Sequence, residues 1–138
     1  MRLLSALWLG VAIVLASSTP VLAQDDRGLV VVVSPPTVET TLGSTVDIEV
    51  AVTNHGTTTV DEFVVHVDIT DPGLEGSVDP EDWTATLTLP GGSLGPGETL
   101  VQTWPLQPIS GGRFTLYAVA LTPGSAAVAS SNAVEFHV

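Results

Sequence analysis

The chain has 138 residues, room for one ordinary domain, and carries 15 acidic against three basic side chains, a formal net charge of −12 at pH 7. Such a surface repels a phosphate backbone, so nucleic acid and anionic membrane are set aside as partners, and the charge has a plain use in solubility. The absence of cysteine removes disulfides, thiol catalysis and Cys-ligated metal, so an exported domain of this sequence rests on its apolar core.

Residues 1–23 have the layout of a secretory signal peptide: Arg2, an apolar run from Leu3 to Ala16, a break at Ser17-Ser18-Thr19-Pro20, and Val21-Leu22-Ala23 at the cleavage site. A retained membrane helix is the alternative, but the run is shorter than the roughly 20 residues a span requires, and Pro20 interrupts it. Cleavage near Ala23 is therefore expected, with export to the periplasm, cell surface or medium of a bacterium or archaeon. Residues 24–28 form a polar leader expected to be mobile, and 29–138 form the domain.

Leu29 to Val33 is a bare valine-rich run stopped by Ser34-Pro35-Pro36, and Thr37 to Leu42 a second short piece; both suit sheet edges. From Ser44 to Thr70 the chain alternates with period two. Val46, Ile48, Val50 and Val52 face one way, and Phe63, Val65, Val67 and Ile69 make the next inward row. Between them, Asn54-His55-Gly56 predicts a turn with Gly56 at positive φ. Trp83 to Leu89 alternates again, with Trp83, Ala85, Leu87 and Leu89 on one side. Thr99 to Leu106 should bury Leu100, Trp104 and Leu106, and Pro105 argues for an edge or a bulge there. Arg113 to Leu121 is apolar on both faces, and Ala133 to Val138 closes the domain with Val134, Phe136 and Val138 inward. Seven main strands at this spacing, without helical periodicity, predict an all-β fold, a seven-stranded Greek-key sandwich of the immunoglobulin type.

Three strings in this order, VDIEVAVTNHGTTTVDEFVVHV, SLGPGETL and GGRFTLYAVAL, resemble the CARDB-like and related immunoglobulin-like domains of exported prokaryotic proteins. The matching residues are Asn54 and Gly56, then Leu94, Pro96, Gly97 and Glu98, then Gly112 and Phe114, and the resemblance covers about 29–138. It implies an adhesive, spacer or accessory module of a larger assembly. The chain is expected to depart from that pattern by standing alone.

Candidate chemistry is sparse. Gly91-Gly92-Ser93-Leu94-Gly95 fits the Gly-x-Ser-x-Gly string of a hydrolase, but Pro96-Gly97 forbids the helix that must follow the serine. Asp71, Glu75, Asp79, Glu81 and Asp82 supply carboxylates for a weak calcium site, without the spacing of an EF-hand and with Gly76 and Pro80 among them; a solvated loop is the alternative. His55 falls in a turn, while His66 and His137 fall on outward rows of strands that flank Arg113–Leu121, about 9–10 Å apart and too far to chelate one ion. No catalytic group and no cofactor is expected. If the inward rows hold, the outward rows of that sheet bring Tyr117, Val119 and Leu121 beside Val64, His66 and His137, an apolar stripe with a polar rim. The expected function is that of an exported, non-enzymatic immunoglobulin-like domain binding a protein or glycan, or supporting the cell envelope, with self-association through the Tyr117 face. A periplasmic metal-binding accessory protein and a small serine hydrolase are the alternatives.

Overall fold

The computed structural model describes residues 28–73, 78–125 and 128–138. The signal segment, the leader up to Arg27 and Glu75 lie outside the described residues. Nine strands follow one another: β1 (Leu29–Ser34), β2 (Thr37–Glu39), β3 (Val46–Asn54), β4 (Val64–Thr70), β5 (Thr88–Pro90), β6 (Thr99–Leu106), β7 (Arg113–Leu121), β8 (Val128–Ser130) and β9 (Val134–His137). They make a three-stranded sheet, β1-β3-β6, and a six-stranded sheet, β2-β9-β7-β4-β5, in which β8 also pairs with β7. The first strand region is split between the two: β1 is antiparallel to β3, and past Pro35-Pro36 β2 runs parallel to β9. The result is an immunoglobulin-like β-sandwich, all antiparallel apart from that one pair.

Alternation explains the core. Phe63, Val65, Val67 and Ile69 from the β4 region, Phe114, Leu116, Ala118 and Ala120 from β7, and Val134 and Phe136 from β9 are buried against Ile48, Val50 and Val52 of β3 and Trp104 and Leu106 of β6. Trp104 is 1% exposed, and its indole N–H donates to the Thr86 carbonyl at 2.9 Å. Trp83 lies edge-on to Phe114 and Phe136, with ring centroids 4.9 and 6.0 Å away. The edges fall where the prolines pointed: β1 and β6 border the smaller sheet and β2 the larger, and Pro105 sits on border strand β6, where the missing amide costs least.

Two side-chain amides tie distant segments together. Asn54 is fully buried; its Nδ2 donates to the carbonyls of Thr58 (2.8 Å) and Leu94 (2.9 Å), and its Oδ1 accepts from the Gly56 amide at 2.8 Å. Its backbone is held by Gly97 and Glu98. These belong to a turn in which the Glu98 amide donates to the Gly95 carbonyl, with Pro96 at the second position and Gly97 at φ +77° at the third, the requirement of a type II turn. Asn132 does the equivalent at the β1 border: its Oδ1 accepts from the Val33 amide at 2.9 Å and its Nδ2 donates to the Val33 carbonyl at 3.0 Å.

Three expectations need correction. Trp83 to Leu89 is not one strand: Trp83 closes a single 3-10 turn at Pro80–Asp82, pairing starts at Thr88, and Ala85, expected inward, is exposed. Thr37 to Leu42 contributes only the three residues of β2. Gly56 is not at positive φ, a conformation found instead at Gly28, Gly43, Gly92, Gly97, Gly112 and Gly124, because the Asn54 side chain closes that turn itself. Gly28 carries the constraint there: at φ +88° it packs so closely on the Gly56 backbone that a Cβ would collide with the Gly56 nitrogen.

Candidate functional site

The outer face of the six-stranded sheet can be mapped row by row from strand register, since residues directly opposite share a face. At one end Pro90, Val64, Leu121 and Val128 form an apolar row. Below it lie Thr88, His66, Val119 and Ser130, then Asp68 beside Tyr117. Thr70, Thr115, Glu135 and Thr37 follow, and Arg113, His137 and Glu39 close the far end. The face therefore grades from aliphatic to charged along the strands.

Most polar groups on it already hold a partner. The Tyr117 hydroxyl donates to Asp68 Oδ2 at 2.8 Å, across β7 and β4. That bond, with burial and the nearby carboxylate charge behind it, raises the tyrosine pKa above its ordinary value of 10.0. His66 Nδ1 shares a 2.8 Å hydrogen bond with the Thr88 hydroxyl, and His137 sits between Glu39 (2.7 Å) and Glu135 (3.8 Å). Arg113 is exposed and pairs with no carboxylate among the described residues. Of the apolar members, Leu121 is 37% and Val128 40% exposed, while Val64 and Val119 are half-buried.

The structure thus places Tyr117, Val119, Leu121, Val64 and His66 on one continuous patch, with His137 at its charged end. It adds Val128, Arg113 and Glu39, which the sequence did not single out. Val128 lay hidden in a small-residue segment, and Glu39 reaches the patch only through parallel pairing of β2 with β9, a contact without local signal.

The other candidates are dispersed. Asp71 Oδ1 accepts from the Gly73 amide at 2.8 Å, and Asp79 caps the 3-10 turn by accepting from the Glu81 amide at 3.1 Å. Glu81 and Asp82 are exposed, and among the described residues no group of three or more His, Asp or Glu side chains converges on a metal position. Ser93 is exposed in a loop, followed by the two-way backbone bridge of Leu94 with Val60 rather than by a helix. An open groove of about 390 Å³ at the sandwich end is lined by Thr58, Thr59, Asp61, Glu62 and Pro123. No helix among the described residues is long and apolar enough to cross a membrane.

Comparison of the sequence with protein-family models and with curated proteins found no match. Among solved structures, the chain is similar to the CARDB domain of a Pyrococcus furiosus protein. The solution structure of that domain aligns at a TM-score of 0.52 and 24% identity, covering 80% of this chain and 94% of that one. Its crystal structure, in complex with di-metal ions, aligns at 0.52 and 23% identity over 85% and 97%. The fold is CARDB-like, as the resemblance in the sequence implied.

Proposed function

We propose that this chain is an exported, non-enzymatic immunoglobulin-like domain that binds a protein partner through the outer face of its larger sheet. The carrying observation is the row Pro90–Val64–Leu121–Val128, aliphatic and partly exposed, bordered along the strands by hydroxyl, histidine and carboxylate groups. A patch with an apolar centre and polar rim is the usual anatomy of a recognition surface. Its aliphatic composition favours a protein over a glycan, since sugar faces stack best on open aromatic rings and Tyr117 is half-buried with its hydroxyl bound to Asp68. The exposed loop around Ser93 and the dispersed carboxylates support a non-catalytic role.

Chemical crosslinking in the native cells tests the reading. Leu121→Asp should abolish capture of a specific partner while leaving the melting temperature within a degree or two of the parent; undiminished capture would sink it. Export is tested by the mass of the mature chain, which should begin at Gln24. The metal-binding alternative draws on the metal-loaded Pyrococcus structure. Here His66 and His137 stand on opposite sides of β7, each engaged with its own neighbour. Stoichiometric copper or zinc retained after dialysis would favour that alternative.

A further inference from the structure

We infer that the partner seated on this face is a second copy of the chain, docked about a two-fold axis parallel to the strands and lying between β7 and β9. The inference rests on the reading above and deepens it by naming the occupant.

Charge is the first reason. The chain is strongly acidic, and the outer side of β3 carries Asp47 and Glu49 with no basic residue opposite them. On the six-stranded face, by contrast, stand Arg113, the one described arginine, and two of the three histidines. Its three carboxylates are Asp68, which accepts from Tyr117, and Glu39 and Glu135, which flank His137. With its histidines neutral the face carries a formal −2, spread over five strands rather than three, and among the described residues it alone offers another acidic copy a cation.

Self-complementarity is the second. An axis along the strands keeps every row level with itself and exchanges left for right. Placed between β7 and β9, it sets Leu121 against the partner's Val128 at the apolar end, and Thr115 against the partner's Glu135 in the middle. At the charged end Arg113 meets the partner's His137 and Glu39, and each contact occurs twice. Arg113, which has no carboxylate within its own described chain, gains one. Alignment of the two sheets in this way matches the packing that twisted sheets prefer.

Area sets the strength of the contact. The strands of this face, three to nine residues long and about 4.8 Å apart, cover roughly 450 Å² per copy, hence at most about 900 Å² for the pair, the size of a weak, reversible contact that dilution breaks.

Sedimentation velocity of the mature chain over a dilution series decides. The wild type should pass from dimer to monomer on dilution, and high salt should move the midpoint upward. Arg113→Glu and Glu39→Arg should each raise the midpoint about tenfold or more, and the double charge swap should restore it, a rescue that only contact between the two sites explains. If Glu39→Arg loses stability with its His137 contact, Arg113→Glu decides alone, since the Arg113 side chain pairs with no carboxylate among the described residues. A wild type monomeric at every concentration overturns the inference, as does a dimer indifferent to Arg113→Glu. If the wild type stays monomeric while Leu121→Asp abolishes capture of a different protein, the inference falls and the proposed function stands. If neither mass nor capture responds to Leu121→Asp, both fall.

Discussion

The outer faces of the two sheets are written in the same alternating pattern and differ in width and charge. The three-stranded face also has an apolar row, Val32–Ala51–Val101, and Val101 is 54% exposed, more open than Leu121. That row is three residues wide, between Thr53 and Thr99 on one side and the acidic Asp47 and Glu49 on the other. Its three strands cover roughly 350 Å², the smaller of the two faces. Exposed valines therefore do not by themselves mark an interface. Five strands side by side do so better, with basic groups set among the acids.

The largest way to break the comparison is to merge the two faces by losing the core between them. Trp104 belongs to the smaller sheet, yet its indole holds Thr86 on the approach to β5 of the larger one. Trp104→Ala should cost about 3–5 kcal/mol in urea denaturation, with both sheets lost in one transition. A loss under 1 kcal/mol would mean that the tryptophan is not wedged between them. Next comes Asn54→Ala, which leaves the Thr58 carbonyl and the Gly56 amide without their bonds inside a closed turn. About 2–3 kcal/mol is expected, against a few tenths for a loop residue such as Thr57.

Smaller in stability, but sharper, is a matched pair of surface changes. Val101→Asp and Leu121→Asp should each shift unfolding by no more than about 0.5 kcal/mol. Only Leu121→Asp should change association; an equal effect of both would erase the difference drawn between the faces. The finest test uses the single tyrosine of the chain. With its pKa raised in the fold, the neutral phenol is favoured there, so its contribution to stability is complete below the ordinary value of 10.0 and fades as pH climbs through the raised one. Ultraviolet titration of the folded protein should give a midpoint above 10.0, and Asp68→Asn should move it down.

The inward rows were legible because burial on a pleated strand obeys a period of two, and Phe63–Ile69 and Phe114–Ala120 obey it fully. The same rule misled at Trp83–Leu89. Burial itself does not alternate there, Thr84 being buried and Ala85 exposed, because the backbone bonds outside a regular ladder. In that stretch the Trp83 carbonyl takes the Gln107 amide, Thr86 takes an indole and Leu87 takes the Val67 amide. Asn54-His55-Gly56 was rightly read as a turn but for the wrong residue, since a buried side chain supplied what a left-handed glycine was expected to supply. At the site, the stripe on β7 followed from its own sequence. Of its charged end only His137 did, because Glu39 and Arg113 reach it from segments joined only by register.

Asn132 gives the molecule a valence. In a polymer chemist's sense a sheet border is a reactive end, adding one strand and presenting another. By occupying the amide and carbonyl of Val33, the Asn132 side chain stands in for a single residue of the strand that would otherwise add to β1, and caps that end. The opposite border, β6, keeps its length but carries Pro105. A monomer with two live ends propagates into a fibre, whereas one with a capped end couples once and terminates. For the smaller sheet of a valine-rich protein without cysteine, one amide side chain sets the difference between a step that ends and a chain reaction.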